Sequence, residues 1–304
     1  MAPTFLNTKS EYETLVDKYD TFMFDCDGVL WHGDRLVPGA RQVLSILRDR
    51  KKHIIFVTNN ATKSRKNYRK KFESLGVQAE VDEIFGSAYA SAVYLSTVVS
   101  LPKTKKVYVI GQAGLEEELD EEGVAHIGGT DPEDNTTEPF SLDDFKLDES
   151  VGAVLCGLDT RLNYTKLCKA LQYITRNEGC LFLATNTDPT YPAAGGFLPG
   201  AGSISAPLRY ALGRDPVSIG KPNKTMLDCI KAKHDFDPAR TIMIGDRLDT
   251  DILFGQQGGV STLLVLTGVT KVSEISGEKP PIVPDFVLKS IGDLVALTGE
   301  EAMA

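Results

Sequence analysis

Short apolar runs recur along this chain, and segments with helical spacing separate them. Thr21–Phe24, His53–Val57, Lys106–Ile110, Val151–Cys156, Cys180–Ala184 and Thr241–Ile244 are rich in β-branched and aromatic side chains and lack polar alternation. Such runs read as strands buried on both faces. Helices are expected over 8–18, with Tyr12, Leu15 and Val16 on one side, and after Pro38-Gly39, with Val43, Leu44 and Leu47 at helical spacing. Further helices are expected over Ser64–Leu75 (closed by Gly76), Ala88–Val99, Leu115–Glu121, Asn163–Arg176, Ser203–Leu212 and Thr225–Lys233. Leu263–Leu266 and Asp285–Leu288 read as late strands.

Alternating strands and helices imply a parallel sheet covered on both faces. The rhythm restarts after Leu101-Pro102. The expectation is therefore a three-layer, Rossmann-like α/β core from residues 1–100 and 206–304, interrupted by a smaller α/β module at 101–205. Gly128 to Ser150 is acidic and poor in hydrophobes, and reads as a long connector. Thr185 to Gly200, with three prolines and three glycines, reads as loop.

Composition narrows the class. At 42% hydrophobic and 25% charged residues, the 304-residue chain matches ordinary globular proteins. A net charge of −9 argues against a nucleic-acid partner. No apolar run approaches the roughly 20 residues of a membrane helix. Five cysteines without a CxxC pair, and a polar Met1–Tyr19 stretch, fit reduced thiols in the cytoplasm.

Candidate chemistry gathers where the apolar runs end. Asp25 and Asp27 follow the first strand, two residues apart, and extended backbone would point both the same way. Such a pair repels unless a cation sits between its members. Gly28 then permits a tight turn and close approach of backbone N–H groups to a ligand. Thr58 and Asn59, and Asp246 and Asp251, lie just beyond other apolar runs, and Lys221 in Gly220-Lys221-Pro222 lies in a tight loop that opens a helix. In an open parallel sheet the carboxyl ends of the strands line one crevice, so these distant residues would meet. Lys221 and Thr58 suit phosphate oxygens. Asp25, Asp27 and Asp246 offer the all-oxygen donors that Mg²⁺ prefers, and no His/Cys cluster suggests zinc. A carboxylate can also attack as a nucleophile and divide one hard step into two.

Asp25-Cys26-Asp27-Gly28-Val29-Leu30-Trp31, Thr58-Asn59-Asn60, Gly220-Lys221-Pro222 and Gly245-Asp246-Arg247-Leu248-Asp249-Thr250-Asp251 resemble the four motifs of the haloacid dehalogenase superfamily. More narrowly, they resemble its 4-nitrophenylphosphatase branch, which includes phosphoglycolate and pyridoxal phosphatases. The resemblance runs along nearly the whole chain and includes an inserted cap of the larger α/β type (C2). It implies a Mg²⁺-dependent phosphatase working through an aspartyl-phosphate. Asp25 would be the nucleophile and Asp27 the general acid/base. The Asp25 side chain, the Asp27 carbonyl and the Asp246 side chain would hold Mg²⁺, with Asp251 behind them. Thr58, Asn59, Asn60, Lys221 and Gly28 would hold the phosphoryl group. The cap would choose the substrate through Asn186 and Tyr191 and join two subunits into a homodimer.

Thr190-Tyr191 stands where the pyridoxal phosphatases share a Trp-His pair, which favours a small phosphorylated metabolite such as 2-phosphoglycolate over pyridoxal 5′-phosphate. A protein phosphatase, or a regulator docking partners through the basic Lys63–Lys71 helix and the acidic 128–150 connector, is the alternative from another class. The basic Lys63–Lys71 run and the acidic Glu116–Glu122 run otherwise read as solvated helix faces. Arg161 reads as a surface ion-pair residue or a group reaching a substrate carboxylate, Cys26 as core or a redox-sensitive thiol, and Asp249 as a helix cap or a helper of the metal shell.

Overall fold

The structure, a computed structural model, describes residues 2–136, 138–193, 195–276 and 282–298. In chain order the first half comprises β1 (Thr4–Phe5), α1 (Lys9–Lys18), β2 (Thr21–Phe24), β3 (Trp31–His32), β4 (Arg35–Leu36), α2 (Ala40–Asp49), β5 (His53–Thr58), α3 (Arg65–Ser74), β6 (Ile84–Gly86) and α4 (Ser87–Val93). β7 (Lys106–Ile110), α5 (Ala113–Glu121), β8 (His126–Gly128), β9 (Val151–Cys156), α6 (Tyr164–Arg176), β10 (Leu181–Ala184), β11 (Thr190–Ala193), β12 (Gly196–Pro199), α7 (Ala201–Leu212) and β13 (Val217–Ser218) follow. The chain continues with α8 (Lys224–Lys231), β14 (Thr241–Gly245), α9 (Leu253–Gly258), β15 (Ser261–Val265), α10 (Val272–Ile275) and β16 (Phe286–Leu288).

Seven parallel strands form the larger sheet in the order β1-β16-β15-β14-β2-β5-β6. Side chains alternate across it. Phe22 and Phe24 of β2 pack with Phe56, Leu44, Leu47 and Phe72 on one face. Met23 packs with Ile55, Val57, Met226 and Met243 on the other. Both faces are thus covered, which is why the strands are uniformly apolar.

A second parallel sheet, β13-β10-β9-β7-β8, builds the cap. Helix α4 lies between the two sheets and every one of its residues is buried. Its Tyr89, Ala90 and Val93 serve the large sheet, while Ala88 and Ala92 pack against Val107, Val109 and Leu155 of the cap. Small residues suit a helix squeezed from both sides.

Cap and core thus differ from the expected division in one respect. Helix α7 was expected to open the returning core, yet Ile204 and Leu208 pack with Phe182 and Tyr173 of the cap. The cap sheet closes only with β13, so the chain returns after Ser218 rather than at 206. Periodicity shows which face of a helix is apolar but not which sheet covers it. Part of the 185–200 loop is also the β11–β12 hairpin, whose prolines hid its strand character. The 128–150 connector, of which Thr137 lies outside the described residues, has irregular backbone beyond Gly128 but is pinned to the cap. Its Asp134 accepts from Tyr108 Oη at 2.6 Å and pairs with Lys169, and Phe145 packs on Tyr173.

The two charged runs face each other. Arg65 of α3 pairs with Glu118 of α5 (2.8 Å). Lys66 pairs with Glu121, and Asn67 Nδ2 donates to Glu117 at 3.0 Å. From α8's end, Lys233 adds Glu122 at 2.9 Å. Core and cap are therefore each other's partner along this seam, and the basic helix that a docking regulator would use is already engaged. Among the described residues, no helix is long and apolar enough to cross a membrane.

Candidate active site

Three neighbouring strands, β14, β2 and β5, deliver the site. Ile244 and Phe56 flank Phe24 in register, so Asp246, Asp25 and Thr58 emerge side by side at the carboxyl edge. Asp25 N–H still donates to Ile244 C=O (2.8 Å), which fixes where its side chain leaves the sheet.

Lys221 is the centre of the charge arrangement. Its Nζ lies 2.6 Å from Asp25 Oδ1 and 2.8 Å from Asp251 Oδ1, and donates to Val57 C=O at 2.8 Å. The residue is 2% exposed. Burial alone would lower its pKa, but Asp25 and Asp251 outweigh that and raise it, so the ammonium stays charged. Burial raises Asp25 well above the ordinary carboxylate range, with Lys221 opposing and Asp251 and Asp246 adding to the rise. Asp246 is pushed up to about 7, by burial first and Asp251 second.

Oxygens of Asp25, Asp246 and Asp251 all lie within 4.8 Å of one another. Three carboxylates facing one ammonium leave an excess of two negative charges when all are ionised. An all-oxygen donor set with that excess fits a hard divalent cation. Asp246 is held for such a role: Val269 N–H donates to its Oδ2 at 2.7 Å. Asp251 Oδ2 accepts the N–H groups of Asp246 and Arg247, each at 3.1 Å, which folds the helical turn Leu248–Ile252 back onto the strand end.

Several expected placements change. Asp27 does not join the cluster, whose third member is Asp251. The strand ends at Phe24, and beyond it the two side chains diverge. Asp27 Oδ1 accepts from Trp31 Nε1 at 2.9 Å, and its side chain is 53% exposed, near Lys71. Gly28 does not present its N–H to a ligand, because that group donates to Trp31 C=O at 2.8 Å. Its positive φ of 88° and lack of a side chain matter instead: a Cβ there would lie 2.6 Å from Asp246 Oδ2.

Thr58 is placed as expected at the end of β5, buried, with its hydroxyl accepting from Asn60 N–H at 3.2 Å. Asn60 Oδ1 turns back to accept Thr62 N–H (2.9 Å) and hydroxyl (2.7 Å), which shapes the loop. Asn59 is saturated. Its Oδ1 accepts Lys221 N–H at 2.8 Å, and its Nδ2 donates to Lys221 C=O and Asp188 Oδ2, each at 3.0 Å. Asn186 is 4% exposed and donates to Asn59 C=O at 2.8 Å, so it joins cap to core rather than reaching a ligand. Tyr191 is half-buried on the hairpin, opposite Leu198. Asp249 binds Arg247 (3.0 and 2.8 Å) instead of capping a helix. Arg161 is exposed, with no ion pair among the described residues. Cys26 is buried in the core, and burial pushes its thiol up.

Trp31 as the partner of Asp27, and Asp188, were not singled out for these contacts. A tryptophan four residues after an acid on a glycine turn was the available signal for the first.

Comparisons with known proteins agree with this geometry. Residues 22–125 match the family model for haloacid dehalogenase-like hydrolases, and 218–294 match a second, HAD-hydrolase-like model. The chain is 47% identical to the 4-nitrophenylphosphatase of Schizosaccharomyces pombe, over 95% of this chain and 97% of that protein. It is 44% identical to phosphoglycolate phosphatase 2 of Arabidopsis thaliana, over 98% and 99%. A crystal structure of glycerol phosphate phosphatase from Mycobacterium tuberculosis in complex with calcium superposes with a TM-score of 0.77 at 30% identity, covering 92% of this chain and 76% of that one. With its parallel core sheet, inserted cap and strand-end carboxylates, this chain belongs to the haloacid dehalogenase-like hydrolases.

Proposed function

We propose that the protein is a Mg²⁺-dependent phosphatase of small phosphate monoesters, acting through an aspartyl-phosphate on Asp25. The observation that carries this reading is the Lys221 ammonium 2.6 Å from Asp25 and 2.8 Å from Asp251, beside Asp246. Lys221 fixes one Asp25 oxygen and leaves the other to attack phosphorus. The same ammonium and the Thr58 hydroxyl would steady the phosphoryl oxygens as negative charge shifts toward the leaving group. Asp25, Asp246 and the Asp27 carbonyl would hold Mg²⁺, with Asp251 behind them. When bound, the ion would act as a Lewis acid on the phosphoryl group and offset the surplus charge of the carboxylates. Asp27, half-exposed and aimed by Trp31, would protonate the leaving alcohol and later take a proton from the attacking water. The cap would limit bulk water and restrict substrates to small ones.

Among such substrates, 2-phosphoglycolate is favoured. The names of the plant relatives support it, as does Tyr191 in place of a Trp-His pair. A homodimer through the cap and a cytoplasmic location complete the reading. The test is Mg²⁺-dependent phosphate release from a panel containing 2-phosphoglycolate, glycerol 3-phosphate, pyridoxal 5′-phosphate and 4-nitrophenyl phosphate, with Asp25→Asn as control. Release that favours 2-phosphoglycolate and vanishes in the variant is expected. No release from any member overturns the function, and preference for pyridoxal 5′-phosphate overturns the substrate alone.

A further inference from the structure

Nothing in the phosphatase chemistry assigns a task to Asp188, yet this cap residue reaches the core at its most sensitive point. Asn59 has one amide oxygen and two amide hydrogens to offer. Lys221 takes the oxygen and one hydrogen through its own N–H and C=O, as a neighbouring strand would. Asp188 Oδ2 takes the other hydrogen at 3.0 Å. The amide therefore has no hydrogen left for a phosphate; it holds the backbone from which the Lys221 side chain reaches Asp25.

The cap end of this contact is built firmly. Asn186 Nδ2 donates to Asn59 C=O at 2.8 Å, and its Oδ1 accepts Asp188 N–H at 3.1 Å. Gly202 N–H donates to Asp188 C=O at 2.9 Å, and a Cβ on Gly202 would collide with Thr187 C=O. Ser203 Oγ donates to Pro189 C=O at 2.6 Å. The start of α7 thus grips the loop that presents Asp188. The Lys221 loop is tied to the same part of the cap, since Gly220 N–H donates to Thr185 C=O at 2.7 Å.

We propose that Asp188 is a positioning residue by which the cap latches onto Asn59 and, through it, sets Lys221 against Asp25. The proposal rests on the phosphatase reading for its kinetic consequence but not for its structural one. An acceptor is all the latch needs, so a neutral amide at position 188 serves in place of the carboxylate. A group that acted on substrate by its charge or by proton transfer would not be replaced in this way.

The test compares Asp188→Ala, Asp188→Asn, Asn59→Ala and the Asp188→Ala/Asn59→Ala pair in the full chain, by hydrogen exchange and by turnover of 4-nitrophenyl phosphate. Asp188→Ala should speed amide exchange in the peptide containing Lys221, and Asp188→Asn should leave it at the wild-type rate. That readout stands whether or not the protein turns over an ester. In turnover, Asp188→Ala should lower kcat about tenfold with KM nearly unchanged, as expected for loss of an interaction that positions rather than binds. Asp188→Asn should restore most of it, and Asp188→Ala should cost nothing further once Asn59 is alanine. Unchanged exchange in Asp188→Ala overturns the latch. So does an Asp188→Ala penalty that multiplies in full on the Asn59→Ala background. A wild-type protein inactive on every ester overturns the phosphatase reading instead.

Discussion

Replacing Gly28 with alanine puts two features of the site under one test. At φ 88° an L side chain is strained, a cost of about 1–2 kcal/mol. The new Cβ would also stand 2.6 Å from Asp246 Oδ2 and 2.8 Å from its Cγ. Non-bonded carbon and oxygen need on the order of 3.3 Å, so the Asp246 carboxylate must retreat by more than about 0.5 Å. A misplacement of about 1 Å at a reacting site can cost about a hundredfold, so a loss of roughly ten- to a hundredfold in kcat/KM is expected. The loss should come with a raised half-saturating Mg²⁺ concentration, because Asp246 is the group displaced. Inhibition by inorganic phosphate should change little, since the Gly28 N–H is already committed to Trp31 C=O. Titrating phosphate release with Mg²⁺, and separately with phosphate as inhibitor, gives both quantities. Unchanged Mg²⁺ dependence with weakened phosphate inhibition would refute the reasoning and return Gly28 to the role of an anion-binding amide.

Lys221→Met should abolish turnover and, by leaving buried carboxylates unpaired, lower stability by about 3–5 kcal/mol in urea denaturation without metal. Asp246 carries a pKa of about 7, raised by burial and Asp251, so the metal-free folded state holds a proton that the unfolded chain has released. Its stabilising contribution is full below the ordinary carboxylate range and is lost as pH rises through about 7. Thermal melts in EDTA should therefore find Asp246→Asn more stable than wild type at alkaline pH, with the gap closing toward acid pH. Trp31→Phe, which removes the donor 2.9 Å from Asp27, should lower kcat about tenfold, read by steady-state turnover. Glu118→Ala leaves Arg65 unpaired at a buried seam and should cost about 3 kcal/mol by denaturation, whereas Glu121→Ala, at an exposed pair, should cost less than about 1 kcal/mol.

Much of the site was legible because Asp25, Thr58 and Asp246 each follow an apolar run. Strand-end logic placed Asp25, Thr58 and Asp246 together before any distance was known. It failed one step beyond the strand. The period-two rule holds only while backbone is extended, and Asp27 lies past that limit, so its carboxylate went to Trp31 and Asp251 took its place in the cluster. The Asn59 side chain looked like a phosphate ligand because the sequence shows its amide but not its partners; the N–H and C=O of Lys221 had already claimed it. The same limit explains α7, whose apolar face was visible while the sheet that covers it was not. It explains the charged runs too: each looks solvated alone, and only the fold shows that α3 and α5 neutralise each other.

That neutralisation bears on recombination between relatives. Arg65, Lys66 and Asn67 lie before the cap begins, while Glu117, Glu118 and Glu121 lie within it. A chimera that exchanges caps by crossing over between α3 and α5 separates the two halves of a matched set. Donor caps that lack the acidic helix would leave Arg65 stranded in a closed seam. Breeding new substrate preference into this scaffold is then a problem of inheriting α3 together with the cap: a unit that keeps the α3–α5 pairs starts at Ser64 and runs through Ser218, longer than the cap alone.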